Sequence, residues 1–315
     1  MATVSNSKGF QPGTGITTPR GRRALLRAAT PYILIAPVII YYALFWIRPV
    51  LKLVGDSFRT TDGSFTISNF QMVIEDPSFW PAILNTAVIV IFSVALEFVF
   101  ALALAFLINA KFPGSSAFLF IAMIPMALPA VAIAAAWQTG FTAHGWVNSL
   151  LIYLGILAEG DKIYYLTGSH FQNLALIILI DAWTVIPSVM IILLAGMQNL
   201  PEDVKEAGYV FGGNWWTVTR KITIPMLKAT ITTAVILRLI SAIQIWLIVV
   251  VMFGFNRLPV LVERIVYFSD EVSGLYSSYQ MAAAYTIIVS ALVSIAAIIF
   301  LQVSGAFTRA GEELG

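Results

Sequence analysis

A chain of 315 residues that is 59% hydrophobic and 11% charged, with a mean hydropathy of +0.88, falls far from soluble domains, where about a quarter of residues carry charge. It reads as an integral membrane protein. The net charge of +2 offers nucleic acid no handle, the lack of cysteine removes disulfides and thiolate metal sites, and two separated histidines, His144 and His170, leave a metal centre almost nothing to build on.

Residues 1–29 are rich in Gly, Ser and Thr and end in a basic cluster, the composition of a disordered cytosolic tail. Six apolar runs follow, at 31–54, 82–108, 116–138, 174–197, 229–253 and 281–301, each near the roughly 20 residues that carry a helix across a bilayer. The first follows basic residues, as a signal peptide would, but it is too long and its interruption, Arg48-Pro49, is no small-residue cleavage site. A transmembrane domain over 30–309 and a short cytosolic tail at 310–315 complete the organisation.

Polar groups inside these runs are expensive: a charge at a span centre costs about 2.5–3.5 kcal/mol on insertion scales. Glu97 lies in the second run, Asp181 in the fourth, and Arg238 and Gln244 in the fifth. Internal pairing that holds the bundle together is the expected role of Glu97 and Arg238; Asp181 fits equally a solvated place near the external end of its span. Three polar groups stand beside a tryptophan: Gln138 by Trp137, Asp181 by Trp183 and Gln244 by Trp246. Such a pair offers a polar partner beside a ring face, although Trp also collects at membrane interfaces whatever the substrate. Gln244 is favoured as lining a cavity and Trp246 as packing, because two residues apart they fall on different helix faces unless the helix is distorted.

Between the fourth and fifth runs lies the polar segment LPEDVKEAGYVFGGNWWTVTRKITIPMLK, residues 200–228. Pro201 with Glu202 and Asp203 predicts a helix start, since proline tolerates the first turn and carboxylates suit the positive end of the helix dipole. Gly212-Gly213 predicts a break, Gly212 standing where a Cβ would clash, and a second short helix should run from Trp215 to Ile222 until Ile224-Pro225 closes it. Glu206 should be exposed on the first helix.

Basic residues set the orientation. One side of the membrane holds eleven (Lys8, Arg20, Arg22, Arg23, Arg27, Lys111, Lys205, Arg220, Lys221, Lys228 and Arg309) and the other six (Arg48, Lys52, Arg59, Lys162, Arg257 and Arg264). Both termini and the Glu206 loop are therefore expected in the cytosol.

Glu206-Ala207-Gly208, then Gly212, then Ile224-Pro225 resembles the EAA loop of the membrane subunits of binding-protein-dependent ABC importers, whose pattern is EAA, three residues, G, about nine more, then I-x-L-P. The flanks agree: Asn69-Phe70, Asp76-Pro77-Ser78-Phe79-Trp80, Asn85-Thr86, Ile124-Pro125, Trp137, and Gly196 to Pro201 are similar to the sugar permeases of the maltose and glycerol-phosphate type, over roughly residues 30–305. Gly208, Phe211, Gly213 and Ile224 depart from the pattern, Phe211 replacing a usual aspartate. The stretch Gly254-Phe255-Asn256 is a reduced form of a longer glycine-rich corner.

The resemblance implies a MetI-like permease fold: all-α, six transmembrane helices and a cytoplasmic coupling loop, here 198–228. It also implies a bacterial or archaeal cytoplasmic membrane and a heterodimer with a second permease subunit. Two ATP-binding subunits would carry ATP and Mg, an extracytoplasmic solute-binding protein would deliver the solute, and the substrate would be small and sugar-like. Coupling would fall to Glu206, Ala207, Gly208, Gly212 and Pro225. The candidate substrate path is Gln244, Trp137, Gln138, Asp181 and Trp183. The sequence holds no G-x-x-x-x-G-K-[ST] phosphate loop, so a non-catalytic subunit without cofactor or metal of its own is expected. Two other classes stand beside this: a proton-coupled secondary transporter relaying protons through Glu97 and Asp181, for which no internal duplication is evident, and a membrane-embedded enzyme, for which no nucleophile–base or metal set is evident.

Overall fold

The computed structural model describes residues 20–269 and 278–304, with side chains over 30–269 and 279–303. The remaining tail residues assigned above lie outside the described residues. The chain divides into two units, up to Leu53 and from Val54 onward. The first is α1 (Arg20–Tyr42), a π-helical segment at Ala43–Ile47, and the start of α2 (Arg48–Ser57). Helix thus begins within the basic cluster, inside the expected disordered tail, because the alanines and leucines after Arg23 are strong helix formers.

In the second unit, α3 (Ser68–Glu75) leads through Asp76-Pro77 into α4 (Phe79–Asn109), 31 residues and so about 46 Å long, ample for a ~30 Å hydrocarbon core. Pro81 falls in its first turn, where the missing N–H costs no helical bond. The third expected span is in pieces, α5 (Ser115–Ala122), a 3-10 turn at Ile124–Ala127 and α6 (Ala130–Gly140), interrupted at Pro125 and Pro129. Outside it come α7 (Trp146–Tyr153) and the 3-10 turn Tyr165–Thr167. The fourth span is α8 (His170–Gln198), capped by the Ser169 hydroxyl, which accepts the Gln172 N–H at 3.3 Å.

The polar loop carries α9 (Glu202–Val210), α10 (Trp215–Val218), a π turn at Thr219–Thr223 and α11 (Ile224–Met226). The fifth span is also divided, into α12 (Lys228–Ile243) and α13 (Leu247–Phe253), and α14 (Leu261–Ser269) and α15 (Ser278–Ser304) follow. All six runs are helical, but among the described residues four helices are continuous over a span's length, at 30–57, 79–109, 170–198 and 279–303.

α4 and α8 form the centre and run in the same direction. Near their N-terminal ends His170 Nε2 meets Asn85 Oδ1 at 2.9 Å; near their C-terminal ends Ala105 and Ile108 share a buried cluster with Leu194 and Met197. A second cluster ties Ile89 of α4 to Ile133 of α6, Ile177 of α8 and Val249 of α13. Both join residues far apart in sequence, so the bundle is held by packing and by polar ties rather than by its connections. Asn85 Nδ2 donates to the Pro259 carbonyl at 2.8 Å, and Thr86 Oγ1 accepts the Leu261 N–H at 3.0 Å, pinning the chain before α14 onto α4.

Candidate functional site

The loop is a stiff unit with a pinned base. α9 starts where the Pro201, Glu202 and Asp203 pattern places it. It ends in a Schellman motif: Gly213 N–H donates to Gly208 O at 3.0 Å, Gly212 N–H to Tyr209 O at 2.9 Å, and Gly212 sits at φ +81°. The requirement at Gly212 is this left-handed backbone and not a clash, for a Cβ there would meet nothing within 4 Å. Close approach appears instead at two positions that depart from the family pattern. A Cβ on Gly208 would lie 2.6 Å from Ile222 Cδ1, and one on Gly213 would lie 2.7 Å from the Gly208 carbonyl oxygen. The absent side chain at Gly208 lets α9 lie directly against the turn that follows α10, and the one at Gly213 lets the helix cap close.

Asn214 caps α10, its side chain accepting the Thr217 N–H at 2.8 Å. The expected stop at Ile224-Pro225 does not occur. Ile224 is helical (φ −62°, ψ −45°), and its N–H reaches back to Thr219 O in a π turn, so proline follows without breaking an ordinary helical bond. The direction changes further on, at buried Leu227, where the 215–226 segment meets α12 at 64°. There the base is fixed: a Cβ on Gly196 of α8 would fall 2.8 Å from Thr230 Cγ2 of α12, and the Trp215 ring meets Phe106 of α4 edge-on at 6.0 Å. From this base the loop presents exposed Glu206 and Ala207, with Val210 and Phe211 84% and 91% exposed at the tip.

Within the bundle, Arg238 of α12 lies between two carboxylates. Its Nε donates to Glu97 Oε2 at 2.6 Å and its Nη2 to Glu97 Oε1 at 2.8 Å, while Nη2 also bonds Asp181 Oδ2. The Ser93 hydroxyl touches both acids, Glu97 Oε1 at 2.7 Å and Asp181 Oδ2. All four residues are buried. The expected Glu97–Arg238 pairing is present. Asp181 is no solvated group at a span end, because the parallel course of α4 and α8 sets it level with Ser93 and within reach of Arg238.

The fifth span breaks at Gln244 to Trp246, where the sequence pattern predicts one uninterrupted helix. α12 stops at Ile243, Trp246 adopts φ −153° and ψ −44°, and α13 restarts at Leu247. Gln244 is exposed at this break, and Trp246 packs against the Ile89–Val249 cluster. Of the other path candidates, Gln138 is engaged elsewhere: its Nε2 donates to the Val251 carbonyl at 2.6 Å, fastening α6 to α13. Trp137 and Trp183 come together edge-on at 5.6 Å and are joined by Trp146, at 5.1 Å from Trp137. The sequence reading passed over Trp146, whose only signal was its place after Gly145. Asp181, though only two residues from Trp183 in sequence, belongs to the Arg238 cluster and not to this aromatic group.

A second polar cluster, also unforeseen, ties α14 and α15 to the chain that leads into α4. Arg264 of α14 pairs with Asp76 Oδ2 at 3.0 Å, bonds Asn256 Oδ1, and lies over the rings of Tyr267 and Phe268 at 4.6 and 4.8 Å. Tyr285 of α15 donates its hydroxyl to Asp76. Asn256, at φ +65°, gives its N–H to Glu263 Oε1 at 2.9 Å, which is how the shortened Gly254-Phe255-Asn256 corner is held.

A helical membrane subunit with broken third and fifth spans, and with a rigid helix-turn-helix presented between the fourth and fifth, is the architecture of a transport permease. Residues 97–306 match the family described as "Binding-protein-dependent transport system inner membrane component", and the chain belongs to that family. Among its relatives, the "Trehalose transport system permease protein SugA" of Mycobacterium tuberculosis is 26% identical over 96% of this chain and 95% of its own length. The "Trehalose/maltose transport system permease protein MalF" of Thermococcus litoralis is 28% identical over 71% and 76%. The "Sulfoquinovosyl glycerol transport system permease protein SmoG" of Agrobacterium fabrum is 31% identical over 67% and 70%. The fold matches a chain of a bacterial alginate ABC transporter solved in complex with an alginate pentasaccharide-bound periplasmic protein, with a TM-score of 0.79 and 20% identity over 92% of this chain and 99% of that one.

Proposed function

We propose that this chain is one of two permease subunits of an ATP-driven importer, passing a sugar or sugar-like solute from an extracytoplasmic binding protein into the cytoplasm. Two partner subunits bind and hydrolyse ATP with Mg; this chain is the non-catalytic path and lever. The observation that carries the reading is the α9–α11 loop, a rigid, pinned unit whose free face offers the Glu206 carboxylate beside the exposed Phe211 tip. A carboxylate so placed suits a charge-assisted bond to a basic residue of an ATPase. The sugar class is supported by the relatives, named for trehalose, maltose, lactose and sulfoquinovosyl glycerol. Gln244, exposed at the break, is the path-lining group, with Trp137, Trp146 and Trp183 as an aromatic wall further along.

The test is reconstitution with all partners in proteoliposomes. Glu206→Ala removes one charge-assisted hydrogen bond, so assembly persists while solute-stimulated ATP hydrolysis and transport fall about 10-fold or more. Normal coupled transport in that variant sinks the loop's assignment. Uptake driven by a proton gradient without ATP would instead favour proton relay through Glu97 and Asp181.

A further inference from the structure

The Arg238 cluster holds one more carboxylate than a structural tie requires. Glu97 takes the two-pronged side of the guanidinium through Nε and Nη2, a complete pair by itself. Asp181 adds a second negative charge in the middle of the bundle, where an unbalanced charge is costly, and it holds Arg238 through a single nitrogen. The three groups also sit on helices with different relations to the cytosolic loop. α8, which carries Asp181, leads into the loop; α12, which carries Arg238, leaves it; α4, which carries Glu97, is connected to neither end of it.

Along α12, Arg238 lies ten residues from Lys228 at the loop exit and six from Gln244 at the break, about 15 Å and 9 Å. One turn beyond it, exposed Ser241 accepts Arg238 Nη1–H at 3.3 Å, on the same helix face that reaches Gln244.

We propose that Arg238 is the positioning residue through which movement of the loop reaches the break in the fifth span, with Glu97 its permanent partner and Asp181 its releasable one. In the arrangement described here α12 is held against both α4 and α8. When the loop moves, α12 turns about the Glu97 fork, the single Arg238–Asp181 bond opens, and the Ser93 hydroxyl remains on Asp181 as its partner. Gln244 is carried with the upper end of α12. This inference rests on the coupling role proposed for the loop.

The experiment uses the whole transporter with its partner subunits in proteoliposomes, reading solute moved per ATP hydrolysed and the melting temperature of the assembled complex. Asp181→Asn keeps the shape and removes the charge. The expected result is a complex that assembles, melts at or above the wild-type temperature, still hydrolyses ATP, and moves about tenfold less solute per ATP. Asp181→Glu restores the ratio. Unchanged transport per ATP in Asp181→Asn overturns the proposal, and so does loss of assembly or a lowered melting temperature, which would make Asp181 an ordinary structural tie. Glu206→Ala serves as the control for the parent reading. If Glu206→Ala uncouples and Asp181→Asn does not, only the role of Arg238 falls; if Glu206→Ala stays coupled, both fall.

Discussion

Arg264, near the start of α4, is enclosed by Asp76, Asn256 and the rings of Tyr267 and Phe268, with Tyr285 bonded to the same carboxylate. Arg238, in the bundle, has no aromatic ring over it among the described residues and divides its donors between carboxylates on two helices. One arginine is therefore paired with a single carboxylate under two rings, while the other has carboxylates on two helices to choose from. An arginine held between one paired carboxylate and two rings makes a rivet. A cluster with a surplus acceptor makes a joint.

The largest effect separates the two when each arginine is removed. Arg238→Met leaves two buried carboxylates facing each other without a counter-charge, so this chain should fail to accumulate in the membrane, a loss of about 3–5 kcal/mol or more. Arg264→Met leaves Asp76 with the Tyr285 hydroxyl and Glu263 with the Asn256 N–H, so its loss should be smaller; equal expression of both variants, judged by detergent-extracted yield and melting temperature, would break the comparison.

Asp76→Asn comes next. It removes a charge from the rivet and keeps an acceptor for Arg264 and Tyr285, at a cost of about 1–3 kcal/mol. The melting temperature should drop while solute moved per ATP stays unchanged, the opposite of the pattern expected for Asp181→Asn. A changed transport ratio in Asp76→Asn would mean that the Arg264 cluster is also a moving part.

The smallest effect concerns Glu263, fully buried beside the rivet with Oε1 on the Asn256 N–H and Oε2 without a donor. Burial holds its carboxyl above the usual range, the Asn256 N–H opposing only in part. The folded protein then keeps the proton longer than the unfolded chain does, so stability falls as pH rises from the ordinary glutamate range through the raised value. Glu263→Gln should remove that decline and raise stability at pH 8 by about 1 kcal/mol. A pH–stability profile identical to wild type would show the carboxylate to be better solvated than its burial indicates.

Much of the loop was legible because its signals are local. Pro201 with two acids fixes a helix start, and the Gly212-Gly213 pair fixes where that helix ends, although the reason is the left-handed backbone at Gly212 and not the expected Cβ clash. Misreadings came where a neighbouring turn changed a local rule. Pro225 stops an α-helix, but it follows a π turn here, and Gly208 looked like a mere departure until Ile222 was found against it.

The amino-acid sequence alone determined that the chain crosses a membrane, where its apolar runs lie, and that a structured polar loop with Glu206 exposed joins two of them. These follow from hydropathy and from residues adjacent in the chain. Only the tertiary structure decided that the third and fifth spans are broken and that Gln138 is bound to backbone. It alone placed Trp146 beside Trp137, and Asp181 with the Glu97–Arg238 pair. Arg238 is separated from its partners by 141 and 57 residues, and which carboxylate it meets depends on the relative height of three packed helices, a quantity that no local pattern encodes.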